Sequence, residues 1–350
     1  MWVELLVITV KMGILLVGLL TTIPIMVWVE RRASALMQDR LGPNRVGPFG
    51  LFQPIVDAVK LITKENLIQQ NVNRFLYVLA PVVALTVALS TAIAIPFGKD
   101  SGVEVFGHAV RGFIVAPDLN IGILYIFAIA SLGVYATVLA GWASNNKFSL
   151  IGGIRASAQT ISYELAMTIS VVGVLMAAGS LSLQTVVESQ QGVWLGVLPR
   201  WNVCTQLLGA VTFMVAVFAE TNRVPFDLPE AEAELVSGYM TEYSSMKYAA
   251  FFMGEYVHMA VGSALITVLF FGGWTLPWIE LPFSGWLGGL VSIGIFLAKF
   301  AFFQFFFVWV RWTLPRFRFD QLMALGWKVM VPLSVLNFLY VGAAMALGLL

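Results

Sequence analysis

The chain has 350 residues, 59% hydrophobic and only 11% charged, with a formal net charge of +1. A soluble domain is about a quarter charged, so this composition excludes a chain that folds entirely in water. A single cysteine, Cys204, excludes an internal disulfide and an iron–sulfur cluster held by this chain alone, and the two histidines, His108 in an outside loop and His258 within a helix, suit a bis-histidine haem poorly.

The first apolar run covers 5–29 and contains Lys11. MWVELLVITVK has no basic region ahead of its apolar residues, so it reads as a retained first helix and not as a removed signal. Lys11 is read as snorkelling toward the outer surface. Segment 30–75 opens with Glu30, Arg31 and Arg32 and turns at Gly42-Pro43-Asn44 and Gly47-Pro48. Within it, 50–65 sets Phe52, Ile55, Val56, Val59 and Ile62 at helical spacing, with Gln53, Asp57, Lys60 and Lys64 elsewhere. This predicts a cytoplasmic-side amphipathic helix lying along the membrane surface, packing on a soluble neighbour being the alternative.

Further runs at 76–95, 121–142, 165–183, 201–219 and 329–350 carry no Asp, Glu, Lys, Arg or His. Two others hold isolated charges: 248–274 with Glu255 and His258, and 286–309 with Lys299. A helix crosses the hydrocarbon core with about 20 apolar residues, and none of these runs alternates as a barrel strand would. The pattern predicts an all-α polytopic membrane protein with about eight transmembrane helices in a single membrane domain over 1–350. Lys299, near the middle of its run, reads equally as a residue with a buried partner or as part of a proton path. His258 reads as an interior hydrogen-bonded residue, because no second His or Cys stands at metal-ligand spacing.

Charge placement sets the expected orientation. Segments 30–75, 143–164, 220–247 and 310–328 hold fifteen of the twenty Lys and Arg, whereas 96–120, 184–200 and 275–285 hold Lys99, Arg111 and Arg200. Short cytoplasmic loops collect Lys and Arg, so both termini are expected on the outer, periplasmic side.

The stretch 219–239 reads AETNRVPFDLPEAEAELVSGY and opens an acidic cytoplasmic loop at 220–247. Asp227 and Glu230 fit a helix start, as N-cap and third helical position around Pro229. That reading does not account for Glu232, Glu234 or Glu220. Glu164, read as heading the fourth helix, and Glu255, read as two turns into the sixth, add acids near the same surface. Carboxylates at membrane depth repel one another, resist desolvation and titrate as a coupled set, which suits proton uptake. A solvated face or a subunit contact is the competing reading. Arg31, Arg32, Arg40, Arg45, Arg223, Arg311, Arg316 and Arg318 share that surface and form the natural partners of the acids.

Four stretches carry a family resemblance: WVERRASALMQDRLGPNRVGPFGLFQPIVDAVKLITKE (28–65), QTISYE (159–164), AETNRVPFDLPEAEAELVSGY (219–239) and WVRWTLPRFRFDQLM (309–323). They resemble the H-subunit family of the proton-pumping NADH:quinone oxidoreductase, respiratory complex I, whose mitochondrial counterpart is NADH dehydrogenase subunit 1. Gly254 stands where the family pattern has Ala and Lys247 where it commonly has Arg; neither changes the expected chemistry.

The resemblance implies a membrane subunit that forms the floor and entrance of the quinone chamber and couples quinone reduction to proton translocation. Glu30, Arg31, Arg40, Arg223, Phe252 and Arg311 are implied to line the chamber or its mouth. Asp227, Glu230, Glu232 and Glu234 are implied to form an acidic funnel, continued by Glu220, Glu164 and Glu255. Quinone (ubiquinone or menaquinone) is the implied substrate, with no metal or iron–sulfur cluster on this chain and with NADH, flavin and iron–sulfur clusters on partners. Those partners are hydrophilic iron–sulfur and quinone-site subunits of a peripheral arm, small membrane subunits, antiporter-like subunits and the lipid bilayer; no nucleic acid is expected. The loop lengths favour a bacterial inner membrane over a mitochondrial one. The equivalent subunit of a membrane-bound hydrogenase and a stand-alone secondary transporter are the rival readings; the intact GPNRVGPFG and TNRVPFDLPEAEAE stretches favour the quinone enzyme.

Overall fold

The computed structural model describes residues 2–99, 103–105, 108–110, 119–194, 198–229, 232–278 and 285–348. The chain opens with α1 (Trp2–Met37), whose 36 residues span about 54 Å at 1.5 Å per residue. It therefore overruns a hydrocarbon core of about 30 Å and carries Glu30 and Arg31 into the next segment on the same rigid rod. A short 3₁₀ turn at Pro48–Gly50 leads into α2 (Gln53–Thr63). Gly50 has φ 73°, and a Cβ there would lie 2.2 Å from the Pro43 carbonyl oxygen, so the turn admits only glycine. On α2 the side chains of Ile55, Val56, Val59 and Ile62 are exposed, which leaves the apolar stripe facing away from the protein.

Next come α3 (Arg74–Thr91) and the short hairpin β1 (Val103–Val105) with β2 (His108–Val110). The helices α4 (Gly122–Ser131) and α5 (Gly133–Ala143) form one span broken at Leu132. The sequence-based boundary fails most clearly at α6 (Lys147–Ala178), a continuous 32-residue helix. The sequence reading has Glu164 heading the fourth helix, but the helix begins at Lys147 and Glu164 lies midway along it. The cause is composition: Ser149, Gly152, Gly153, Ala156 and Ser162 are buried, and small residues let backbones approach closely without a large apolar stripe. A Cβ on Gly152 would stand 2.7 Å from the Gly238 Cα, and one on Gly153 would stand 2.9 Å from the Thr137 carbonyl oxygen on α5.

After α7 (Leu183–Ser189), the strands β3 (Val193–Trp194) and β4 (Leu198–Pro199) pair, and α8 (Asn202–Thr205) precedes α9 (Leu207–Glu220). The remaining elements are α10 (Glu232–Leu235), α11 (Ser245–Phe270), α12 (Gly285–Thr313), α13 (Phe319–Ala324), a π-helical stretch at Leu325–Met330, and α14 (Val331–Ala346). Among the described residues seven helices are long and apolar enough to cross a membrane, and α9 is a shorter apolar helix of 14 residues. The eight expected runs thus correspond to seven full-length spans plus α9. The chain folds as an all-α polytopic membrane protein.

At the centre stands α11, most of whose residues are buried. It packs against α1, α3, α9 and α12, while α6 packs against α5, α9 and α14. Lys299 on α12 donates to the carbonyl oxygens of Phe271 (2.7 Å) and Thr275 (2.6 Å), with its ammonium 4.5 Å from the Trp201 ring centroid. Its charge therefore sits at the C-terminal end of α11, where a helix dipole favours a cation.

Candidate functional site

Three elements meet where α9 ends. Beyond Glu220 the backbone turns through Asn222, which has a positive φ of 51°, and the turn points Arg223 into the protein. Gln159 of α6 fixes this turn: its buried side-chain amide donates to the carbonyl oxygens of Ala219 (2.7 Å) and Phe226 (2.7 Å) and to Asn222 Oδ1 (3.1 Å). Phe226 is buried between the rings of Tyr163 and Phe317, which anchors the far side of the turn.

Arg223 is buried between two buried carboxylates. Its guanidinium lies 3.7 Å from Glu30 Oε1, at the end of the apolar part of α1, and 3.7 Å from Glu255 Oε2 on α11. Arg311, near the end of α12, donates to the same Glu30 oxygen. The Tyr256 phenol donates to the other Glu30 oxygen at 2.6 Å, and its ring lies 4.3 Å from the Arg223 guanidinium. Phe252 offers a second ring 5.9 Å from the same guanidinium. The result is a charge-alternating row: Arg311, Glu30, Arg223, Glu255. Among these four side chains cation and anion alternate, and pairing of this kind offsets the cost of burying charge. The two Arg223–carboxylate distances are both longer than a direct hydrogen bond.

Glu255 also faces a cavity of about 60 Å³ lined by Thr137, Thr160, Glu220, Asn222, Glu255 and His258. That volume has room for water. Glu255 and His258 stand three residues apart on one face of α11. Glu220 and His258 also line a smaller void of about 10 Å³ that reaches Met167 of α6. Glu164 stands on α6, which packs against α9, the helix that ends at Glu220.

The remaining expected residues are distributed differently. Asp227 pairs with Arg316 at 2.6 Å, and Glu234 pairs with Arg155 of α6 at 2.6 Å, half exposed. The two acids answer to different arginines on different elements. Glu230 lies outside the described residues, and Glu232 is described only as part of the α10 backbone. Arg31 forms an exposed ion pair with Asp57 on α2 at 2.6 Å, and Arg40 donates to Gln38 at 2.6 Å in an exposed turn. Neither joins the buried row. Among the described residues no three His, Cys, Asp or Glu gather as metal ligands.

Sequence reasoning passed over three residues that hold this arrangement. Tyr256 and Gln159 sit in or beside motif stretches but carry no charge to draw attention. Glu242 accepts hydrogen bonds from Gln69 and from Asn146 (2.6 Å), and its backbone oxygen accepts one from Tyr77 (2.5 Å). It thereby ties the end of the acidic loop to two other loops. Only its place beside the acidic stretch hinted at this.

Comparison with known proteins agrees with the motifs. The family model described as NADH dehydrogenase matches residues 10–342. One of the H subunits of NADH-quinone oxidoreductase in Cytophaga hutchinsonii, numbered 1, is 48% identical over 321 residues, covering 91% of each chain. Subunit 8 of the NADH-quinone oxidoreductase of Rhodothermus marinus is 46% identical, covering 94% of each. The second H subunit of the same enzyme in Koribacter versatilis is 45% identical, covering 98% of each. With a match over nearly its whole length, the chain belongs to the NADH dehydrogenase family typified by the H subunit of NADH-quinone oxidoreductase.

Proposed function

We propose that this chain is the membrane subunit of a proton-translocating NADH:quinone oxidoreductase that lines the quinone chamber and relays its charge to a proton path. The observation that carries the reading is the buried row Arg311, Glu30, Arg223, Glu255, continued through one cavity to Glu220 and His258. Such a row is costly in a membrane protein and marks an ion or proton path by default.

Quinone is the substrate and receives two electrons from a hydrophilic iron–sulfur partner of the peripheral arm. Forming quinol takes up two protons. Negative charge developing at the chamber draws on Arg223 and Arg311, the two cations of the row. When Arg223 moves toward the chamber or toward Glu30, its positive charge withdraws from Glu255, whose affinity for a proton rises. Water in the adjoining cavity gives that proton a route between Glu255 and Glu220, and Glu164 extends the acidic series into α6. From there the change in charge passes to small and antiporter-like membrane subunits.

Asp227, Glu230, Glu232 and Glu234 form the acidic funnel that feeds protons to this path, with Arg316 and Arg155 setting the positions of the first and last. Arg31 and Arg40 belong to the chamber's mouth, where the exposed apolar face of α2 meets the bilayer. The loops rich in Lys and Arg face the cytoplasm of a bacterial cell, with both termini outside. NADH, flavin and the iron–sulfur clusters reside on partners.

The test is Glu220→Gln in an assembled complex, read as NADH:quinone electron transfer alongside proton pumping. Loss of both with intact assembly supports the proton path. Retention of both makes Glu220 a helix-end charge.

A further inference from the structure

We propose that His258 relays the proton from Glu255 to Glu220, a role that rests on the proton path proposed above and supplies the step between its two carboxylates. The sequence marks His258 as an interior hydrogen-bonded residue. It is interior, but among the described residues its imidazole has no hydrogen-bond or ion-pair partner. Its neighbours on α11, Val257, Met259 and Ala260, are buried, whereas His258 is half-buried, because its ring faces internal space. That space is the cavity of about 60 Å³ together with the void of about 10 Å³. Among the described lining residues, Glu220 and His258 are the two titratable groups that border both. Glu255 borders the larger one and stands about one helical turn from His258.

The hydroxyls around this space are already committed to backbone. Thr137 donates to the Val134 carbonyl oxygen (2.9 Å), Thr160 to that of Ala156 (3.0 Å), Thr221 to that of Phe218 (3.0 Å) and Thr91 to that of Ala88 (2.7 Å). A hydroxyl so held passes its proton on only by giving up that bond. Neutral imidazole has one acceptor and one donor nitrogen, and in His258 neither is engaged by the protein. The acceptor nitrogen takes the proton from the Glu255 carboxyl, and the other nitrogen releases its own to the Glu220 carboxylate. One proton enters and one leaves: Glu255 ends ionised, Glu220 protonated and the ring neutral in its second tautomer, which ring rotation resets. Among the described residues neither Lys nor Arg lines either space, so the imidazolium formed in transit meets carboxylates and no competing cation. The void holds at most one water, which leaves His258 and Glu220 facing each other there with little or no solvent between them.

The test compares His258→Gln, which keeps hydrogen bonding but takes up no proton, with His258→Glu, which matches it in size and takes one up. Assembled complex in sealed vesicles is assayed for NADH:quinone electron transfer and proton pumping, with electron transfer to a water-soluble acceptor as control. His258→Gln is expected to lower both coupled activities about tenfold or more and to leave the control at the wild-type rate. His258→Glu should recover most of that loss, whereas a purely structural role would make the two variants alike. His258→Asn and His258→Asp repeat the comparison if the longer pair fails to assemble. Glu220→Gln is measured beside them. Collapse in Glu220→Gln with wild-type activity in His258→Gln overturns the relay alone and leaves the step to water in the cavity. Wild-type activity in Glu220→Gln removes the path and the relay with it. Equal loss in His258→Gln and His258→Glu overturns the relay as well.

Discussion

The phenol of Tyr256 donates a 2.6 Å hydrogen bond to Glu30, a carboxylate 226 positions away in the chain. The same ring lies 4.3 Å from the Arg223 guanidinium. One uncharged side chain thus touches the anion and the cation at the middle of the buried row and orients both.

Tyr256→Phe removes the donor and keeps the ring. A hydrogen bond to a charged group contributes about 1.5–3 kcal/mol, so quinone reduction should fall by about tenfold or more. Electron transfer to a water-soluble acceptor that bypasses quinone should stay near wild type. A parallel fall in both would mean that the hydroxyl serves assembly alone.

Arg223 and Arg311 should differ in severity. Removing one partner of a buried ion pair costs about 3–5 kcal/mol because a charge is left uncompensated. Arg223 is buried between two carboxylates, whereas the Arg311 side chain is 28% exposed. Arg223→Gln should therefore reduce assembled complex strongly, with Arg311→Gln milder. Pairing Arg223→Gln with Glu255→Gln should recover part of the loss in a double-mutant cycle of thermal stability; strict additivity would show that the two residues do not interact.

Gln159→Leu tests how the acidic loop is held. The side chain is buried and its amide supports three acceptors in the turn, so the substitution should cost about 3 kcal/mol. Backbone hydrogen exchange should rise over residues 219–229 before other regions change. Unchanged protection there would remove Gln159 from the role given to it.

Gly152→Ala probes the close approach of α6 to the loop. The added methyl meets backbone 2.7 Å away at Gly238, which cannot rotate aside. Overpacking of this kind costs about 1–3 kcal/mol, and the melting temperature of the assembled complex should drop. A variant as stable as wild type would mean that the two backbones separate freely.

The spans were readable because long apolar runs have few structural alternatives in a membrane. The start of α6 was not, since Gly152, Gly153 and Ala156 pack through smallness and carry no apolar signature. The charged row depends on contacts between α1, the turn after α9, α11 and α12, and no local pattern states which arginine meets which acid. Glu30, Arg223, Glu255 and Arg311 were singled out from charge and motif; their order in space came only from the fold. Tyr256 and Gln159 are neutral, so nothing in the charge pattern marks them. The acidic stretch reads as one cluster in sequence, yet Asp227 and Glu234 turn to Arg316 and Arg155 on separate elements.

In the proposed relay, charge at the buried row reaches Glu220 as a proton. This is tested most directly by measuring NADH:quinone electron transfer and proton pumping together in vesicles holding intact complex with Glu220→Gln. Both are expected to collapse while the complex stays assembled. Both activities near wild type would contradict the relay and leave the Glu220 carboxylate a helix-end charge beside a cavity.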